Sequence, residues 1–139
     1  MSVVGYEQVQ RDVASGRELE ARVLVRSAMR LNDCLTSDDN QKLFEAVSLN
    51  HKLWLLFYSE IESKRVTLPR DVEQNMLNLI AYVLRITPRA FARDREALES
   101  MVSINRRIAA GLAVSPEDQP VMPPDAGADQ GDPRFNTSA

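Results

Sequence analysis

The stretch FEAVSLNHKLWLLFYSEI, Phe44 to Ile61, leaves little freedom to the chain that contains it. At 3.6 residues per turn, Leu43, Ala46, Val47, Asn50, Leu53, Trp54, Phe57 and Ile61 fall on one face. Seven of those eight are apolar, which commits the segment to a helix with its stripe in a core. The eighth, Asn50, sits at the centre of the stripe, where an unpaired amide costs about 1–3 kcal/mol. Phe44, Leu55, Leu56 and Tyr58 lie off the stripe. A helix that is apolar on more than one face is either central to its bundle or covered by a partner.

Three more segments carry helical periodicity. Ser15, with Glu18 three residues later, has the pattern of a capping box, and Leu19, Val23, Leu24, Ala28, Leu31 and Leu35 follow at helical spacing. Residues 1–14, with Val3, Val4, Tyr6, Val9 and Val13, read as a separate arm or short helix packed on the body. In TSDDNQ, Ser37 or Asp38 is the expected cap of the second helix, which runs to about Ser63. Pro69 suits the start of a third, whose core face is Val72, Met76, Leu79, Ile80, Val83 and Leu84. Thr87-Pro88 is expected to end it, because a residue before proline resists the helical region. A fourth helix begins near Asp94, carries Leu98, Met101, Val102, Ile104, Asn105 and Ile108, and is expected to stop at Gly111. Short connections between long helices favour antiparallel neighbours, so residues 15–112 are expected to form an all-α, compact antiparallel bundle of about four helices.

From residue 113 the composition changes. Five of the seven prolines lie in 113–139, with few large apolar residues. Such a segment buries too little surface to offset its ordering entropy, so a disordered, Pro-rich, acidic tail is expected there. Its compact apolar patch, Val121-Met122-Pro123-Pro124, also has the form of a short peptide ligand. Residues 1–112 carry 16 basic and 15 acidic side chains, whereas 113–139 carry Arg134 against Glu117, Asp118, Asp125, Asp129 and Asp132. A nearly neutral body lacks the basic excess that drives phosphate-backbone binding, so direct nucleic-acid binding is disfavoured. The run Arg89, Arg93, Arg95 lies near a turn, but Glu96 and Glu99 follow and would face phosphates unfavourably.

Catalysis needs convergent groups, and the sequence offers few. One His and one Cys cannot assemble a structural zinc site of the common types. No glycine-rich phosphate loop and no Gly-x-Ser-x-Gly elbow occurs. His51 and Cys34 have no visible third, orienting group, and Asp38-Asp39 opens a helix. The expectation is a protein that is not an enzyme and has no cofactor or metal. The absence of any run of about 18 apolar residues argues against a membrane span. The N-terminus lacks the pattern of a secretory signal, and a single cysteine fits a reducing cytoplasm.

The fourth helix repeats the oddity of the second: Leu98, Met101, Asn105, Ile108 and Leu112 share a face with an amide at its centre. Either Asn50 and Asn105 bond each other or exposed backbone, or they contact a partner. The segment Asn50-His51-Lys52-Leu53-Trp54 is followed by Leu68-Pro69-Arg70-Asp71-Val72, by Leu79-Ile80-Ala81-Tyr82-Val83 and by Thr87. The series closes on Ile104-Asn105-Arg106-Arg107-Ile108-Ala109-Ala110-Gly111-Leu112. In this order and spacing the set resembles the FlaF family of flagellar biosynthesis regulators of alphaproteobacteria, over about residues 3–112.

That resemblance implies a cytoplasmic protein needed for flagellin production and filament assembly. Members are associated with flagellin, in a chaperone-like or secretion-coupling role, and with FlbT, a partner regulator acting on flagellin mRNA. The expected contact set is Trp54, Leu55, Phe57 and Tyr58 as apolar anchors, Asn50 and Asn105 holding the geometry, and Arg106 and Arg107 at the rim. The alternative is a post-transcriptional regulator acting on flagellin mRNA directly or through FlbT.

Overall fold

The computed structural model describes residues 3–113, with side chains from Gly16 onward. Four long helices follow one another: α1 (Val3–Asp33), α2 (Asn40–Glu62), α3 (Arg70–Phe91) and α4 (Arg95–Ala113), with one 3-10 turn, Cys34–Thr36, after α1. The core divides into two clusters, and their membership fixes the topology. One joins Ala28, Leu31 and Cys34 at the end of α1 to Leu43, Ala46 and Val47 at the start of α2, Ile86 and Ala90 late in α3, and Leu98 and Met101 early in α4. The other joins Ala21 and Leu24 to Trp54, Phe57 and Ile61 late in α2, Ile80 and Val83 in α3, and Ile104 and Ala109 late in α4. Ends of α1 and α3 thus meet starts of α2 and α4, which is an up-down-up-down bundle. The pairs α1–α4 and α2–α3 pack most extensively.

Several boundaries differ from the sequence expectation. Ser15 does not cap a helix, because α1 is continuous through it from Val3, so residues 3–14 belong to the same helix. The buried stripe of α1 is Ala21, Leu24, Ser27, Ala28 and Leu31, while Leu19 (60 % exposed) and Val23 face outward. Asp39, not Ser37 or Asp38, caps α2: its Oδ1 accepts from the N–H groups of Gln41 at 2.9 Å and Lys42 at 3.2 Å. Ser37 instead accepts the Asp39 N–H on its hydroxyl, at 3.1 Å, and so shapes the turn before the cap.

α3 passes through Thr87-Pro88 and ends at Phe91. Thr87 turns its hydroxyl to the Val83 carbonyl at 2.8 Å, Ala90 is buried, and the Phe91 ring lies 5.9 Å from that of Phe44. Tertiary burial of the last turn outweighs the backbone bond that proline removes. Val72, expected in the core, is exposed one turn into α3. α4 likewise runs through Gly111, which does not have a positive φ, to Ala113. The tail expected from residue 113 lies, from 114 on, outside the described residues.

Two helices end in the same way without glycine. Lys64 (φ 61°) and Arg93 (φ 63°) take the left-handed conformation after α2 and α3. In each, the next N–H reaches back five residues, Arg65 to Glu60 at 3.0 Å and Asp94 to Arg89 at 3.0 Å, closing a Schellman motif. Arg93 has a compensation that Lys64 lacks. Its guanidinium donates to the carbonyls of Cys34 and Ser37 and to Asn40 Oδ1, pinning the α1–α2 connection to the α3–α4 turn. Asp94 then begins α4 by accepting the Glu96 and Ala97 N–H groups at 3.0 and 3.4 Å.

Candidate functional site

At mid-height of the bundle, α1, α2 and α4 each turn a polar side chain inward. Asn50 and Asn105 are 0 % exposed, and Ser27 is buried beside them. Asn105 Nδ2 donates to Asn50 Oδ1 at 2.8 Å, and the Ser27 hydroxyl donates to the same oxygen at 3.0 Å. Trp54 Nε1 donates to Asn105 Oδ1 at 3.0 Å. An indole N–H can only donate, so it fixes which end of the Asn105 amide faces it. That places Asn105 Nδ2 toward α2 and requires an oxygen from Asn50. The chain of bonds therefore has one sense, from Trp54 through Asn105 to Asn50. Among the described residues Asn50 Nδ2 finds no acceptor and His51 Nδ1 no hydrogen-bond partner.

The expected contact residues separate into three places. Asn50, Asn105 and Trp54 are brought together in the interior, with Phe57 packed edge-on to Trp54 at 5.3 Å between centroids. Leu55 and Tyr58 are exposed on the outside of α2, together with Phe44 (60 %), Leu49 and Leu56 (50 %). The Phe44–Phe91 ring contact continues this apolar surface onto the end of α3. Arg106 and Arg107 lie on α4, where they line a shallow recess with Asn32, Leu35, Glu99, Val102 and Ser103; no α2 residue contributes to it. Ser27 was not marked by the sequence, since a single serine between apolar residues carries no signal of what it faces.

The other groups singled out in the sequence have structural employment. Burial pushes the Cys34 thiol up, and its Sγ lies 3.2 Å from the Arg30 carbonyl, so it is not a neutral-pH nucleophile. Arg89 holds Asp94 at 2.8 Å, and Arg95 holds Glu99 at 3.4 Å. With Arg93 committed to the α1–α2 connection, three of the four arginines between Arg85 and Arg95 already have partners in the chain. Arg85 sits over the Tyr82 ring at 5.3 Å. Among the described residues no group of three or more His, Cys, Asp or Glu is placed to hold a metal ion, and no helix is long and apolar enough to cross a membrane.

The geometry defines a small antiparallel helical bundle keyed by an interior amide pair and carrying a broad apolar flank on α2. The family model for flagellar protein FlaF matches residues 3–112, so the match spans all four helices and both asparagines. The chain belongs to the FlaF family and is a flagellar protein. No curated protein and no solved structure matches it.

Proposed function

We propose that this protein is a non-enzymatic, cytoplasmic regulator of flagellum biogenesis that binds flagellin as a chaperone-like, secretion-coupling adaptor. The observation that carries the reading is the outside of α2, where Phe44, Leu49, Leu55, Leu56 and Tyr58 are exposed on one helix beside Phe91. Several large apolar side chains exposed on one helix are what an interaction site offers, and an amphipathic client helix is their natural complement. The buried amides serve this surface indirectly, by fixing how α2 sits against α1 and α4. Commitment of Arg89, Arg93 and Arg95 within the chain removes the basic patch that the α3–α4 turn would have offered flagellin mRNA.

Titration calorimetry of the purified protein with monomeric flagellin, beside a flagellin leader RNA, tests the reading. Binding to flagellin at micromolar affinity or tighter is expected, with no heat from RNA. Leu55→Glu/Tyr58→Glu, in exposed positions, should weaken it by at least about thirtyfold, the loss of roughly 2 kcal/mol typical of a hot spot. RNA binding without flagellin binding overturns the proposal. Flagellin binding that appears only after FlbT is added replaces the direct adaptor with a ternary one.

A further inference from the structure

The solvent face of α1 is not an ordinary polar surface. Leu19, Val23 and Met29 are exposed on it, Met29 at 58 %, interleaved with exposed Arg22, Arg26 and Arg30. The arginines recur every fourth residue and so form one row along the helix. Between Glu18 and Asp33, at the two ends of the row, no acidic side chain is exposed on α1. None of the three arginines forms an ion pair among the described residues, in contrast to Arg89 and Arg95. The face is both basic and apolar, and its complement is an acidic segment carrying a few apolar side chains.

The chain itself supplies such a segment. Residues 114–139 hold Glu117, Asp118, Asp125, Asp129 and Asp132 against Arg134, with Val121-Met122 between the acidic groups. The point of departure is favourable. α4 runs antiparallel to α1, and Arg17 Nη2 lies 3.5 Å from the Gly111 carbonyl, so α4 ends beside the turn that precedes Leu19. From Arg17 to Arg30 is about 20 Å along a helix rising ~1.5 Å per residue. Each residue beyond Ala113 spans up to ~3.5 Å, so Glu117 and Asp118 reach only the nearer arginines, whereas Val121-Met122 and the acidic residues from Asp125 on can reach every arginine of the row.

We infer that the acidic C-terminal segment, residues 117–132, docks on the Arg22–Arg26–Arg30 face of α1 in the same molecule. The row then serves as an internal acceptor for the tail, and the apolar flank of α2 is left open. The attraction is electrostatic at an exposed surface, so it weakens as salt shortens the screening length.

The test uses the full chain. Cys34→Ser removes the single thiol, Ala126→Cys carries a nitroxide label, and amide signals are recorded with the label oxidised and reduced. At low salt, signals from residues 19–30 should lose more than about half their intensity, while those of 44–58 on α2 keep theirs. In about 1 M salt, where charges are screened beyond ~3 Å, the intensities should recover. Recovery is also expected in Arg22→Glu/Arg26→Glu/Arg30→Glu, and in Asp125→Asn/Asp129→Asn/Asp132→Asn, which leaves the bundle untouched. Equal broadening on α1 and α2, no broadening, or broadening that survives both sets of substitutions overturns the inference. So does broadening in isotope-labelled protein mixed with spin-labelled protein of natural isotope abundance, which would assign the contact to a second copy.

Discussion

The one-directional chain from Trp54 to Asn50 makes a quantitative prediction through a double-mutant cycle. Trp54→Phe removes the only donor to Asn105 Oδ1 among the described residues, and Asn105 is 0 % exposed. Orphaning a buried acceptor costs about 1–3 kcal/mol. Exchanging indole for phenyl also leaves roughly 40 Å³ unfilled, worth about 1 kcal/mol at ~24 cal/mol per Å³. The expected loss is about 2–4 kcal/mol. Asn105→Leu orphans the Trp54 N–H at a similar 1–3 kcal/mol, and strips one of the two donors from Asn50 Oδ1. In the double variant the indole and the amide are both gone, so the Trp54–Asn105 orphaning is counted in neither. Its loss should fall short of the sum of the singles by about 2 kcal/mol or more, at the upper end of the range measured for residues in direct contact. Urea unfolding followed by circular dichroism is the assay, because Trp54 is the only tryptophan and its fluorescence is lost with it. Losses that add within about 0.5 kcal/mol would show that the two groups do not interact, and the reading of the interior would be wrong.

The non-glycine left-handed positions should respond in opposite senses to the same substitution. Lys64→Gly relieves a strained φ with no recorded side-chain contact to lose and should stabilise by about 0.5–1 kcal/mol in a denaturant series. Arg93→Gly gives the same relief but loses the bonds to Cys34, Ser37 and Asn40, so it should destabilise by at least ~1 kcal/mol, and Arg93→Ala by more. Burial and the neighbouring Glu60 carboxylate push the Glu20 carboxyl up from its ordinary 4.5. The folded chain therefore holds that proton more tightly than the unfolded one, and the unfavourable contribution of Glu20 is full at neutral pH. It is relieved as pH falls through the raised value, so Glu20→Gln should raise the melting temperature at pH 7, with a difference that disappears below the ordinary value of 4.5. Asp39→Ala should cost about 1 kcal/mol by removing the cap of α2, and a thermal melt against Ser37→Ala would separate the cap from the turn before it.

What the sequence disclosed of this molecule depended on whether a feature was periodic or local. The stripes of α2 and α4 placed Asn50 and Asn105 in the interior because every neighbouring position on those faces is apolar, and the structure joins them at 2.8 Å. Local punctuation fared worse. Ser15, Pro88 and Gly111 all lie inside helices, because a cap pattern, a proline or a glycine alters only about 1–3 kcal/mol, which the burial of a turn outweighs. On α1 the pattern placed Leu24, Ala28 and Leu31 correctly in the core but also drew in Leu19 and Val23, for a different reason. The extensive interface of α1 with α4 is lined by small residues, Ala28 clustering with Ala97 and Ala21 with Ala109, which let two helices approach closely. Ranking by hydrophobicity prefers Leu19 and Val23, which lie outside. An apolar residue that the core does not use is ordinary when it stands alone. Leu19, Val23 and Met29 stand in a row of arginines without ion pairs among the described residues, and Leu55, Leu56 and Tyr58 stand on a helix already buried along its other side. The apolar residues that the core leaves outside are thus the ones most informative about what this bundle holds on its outside.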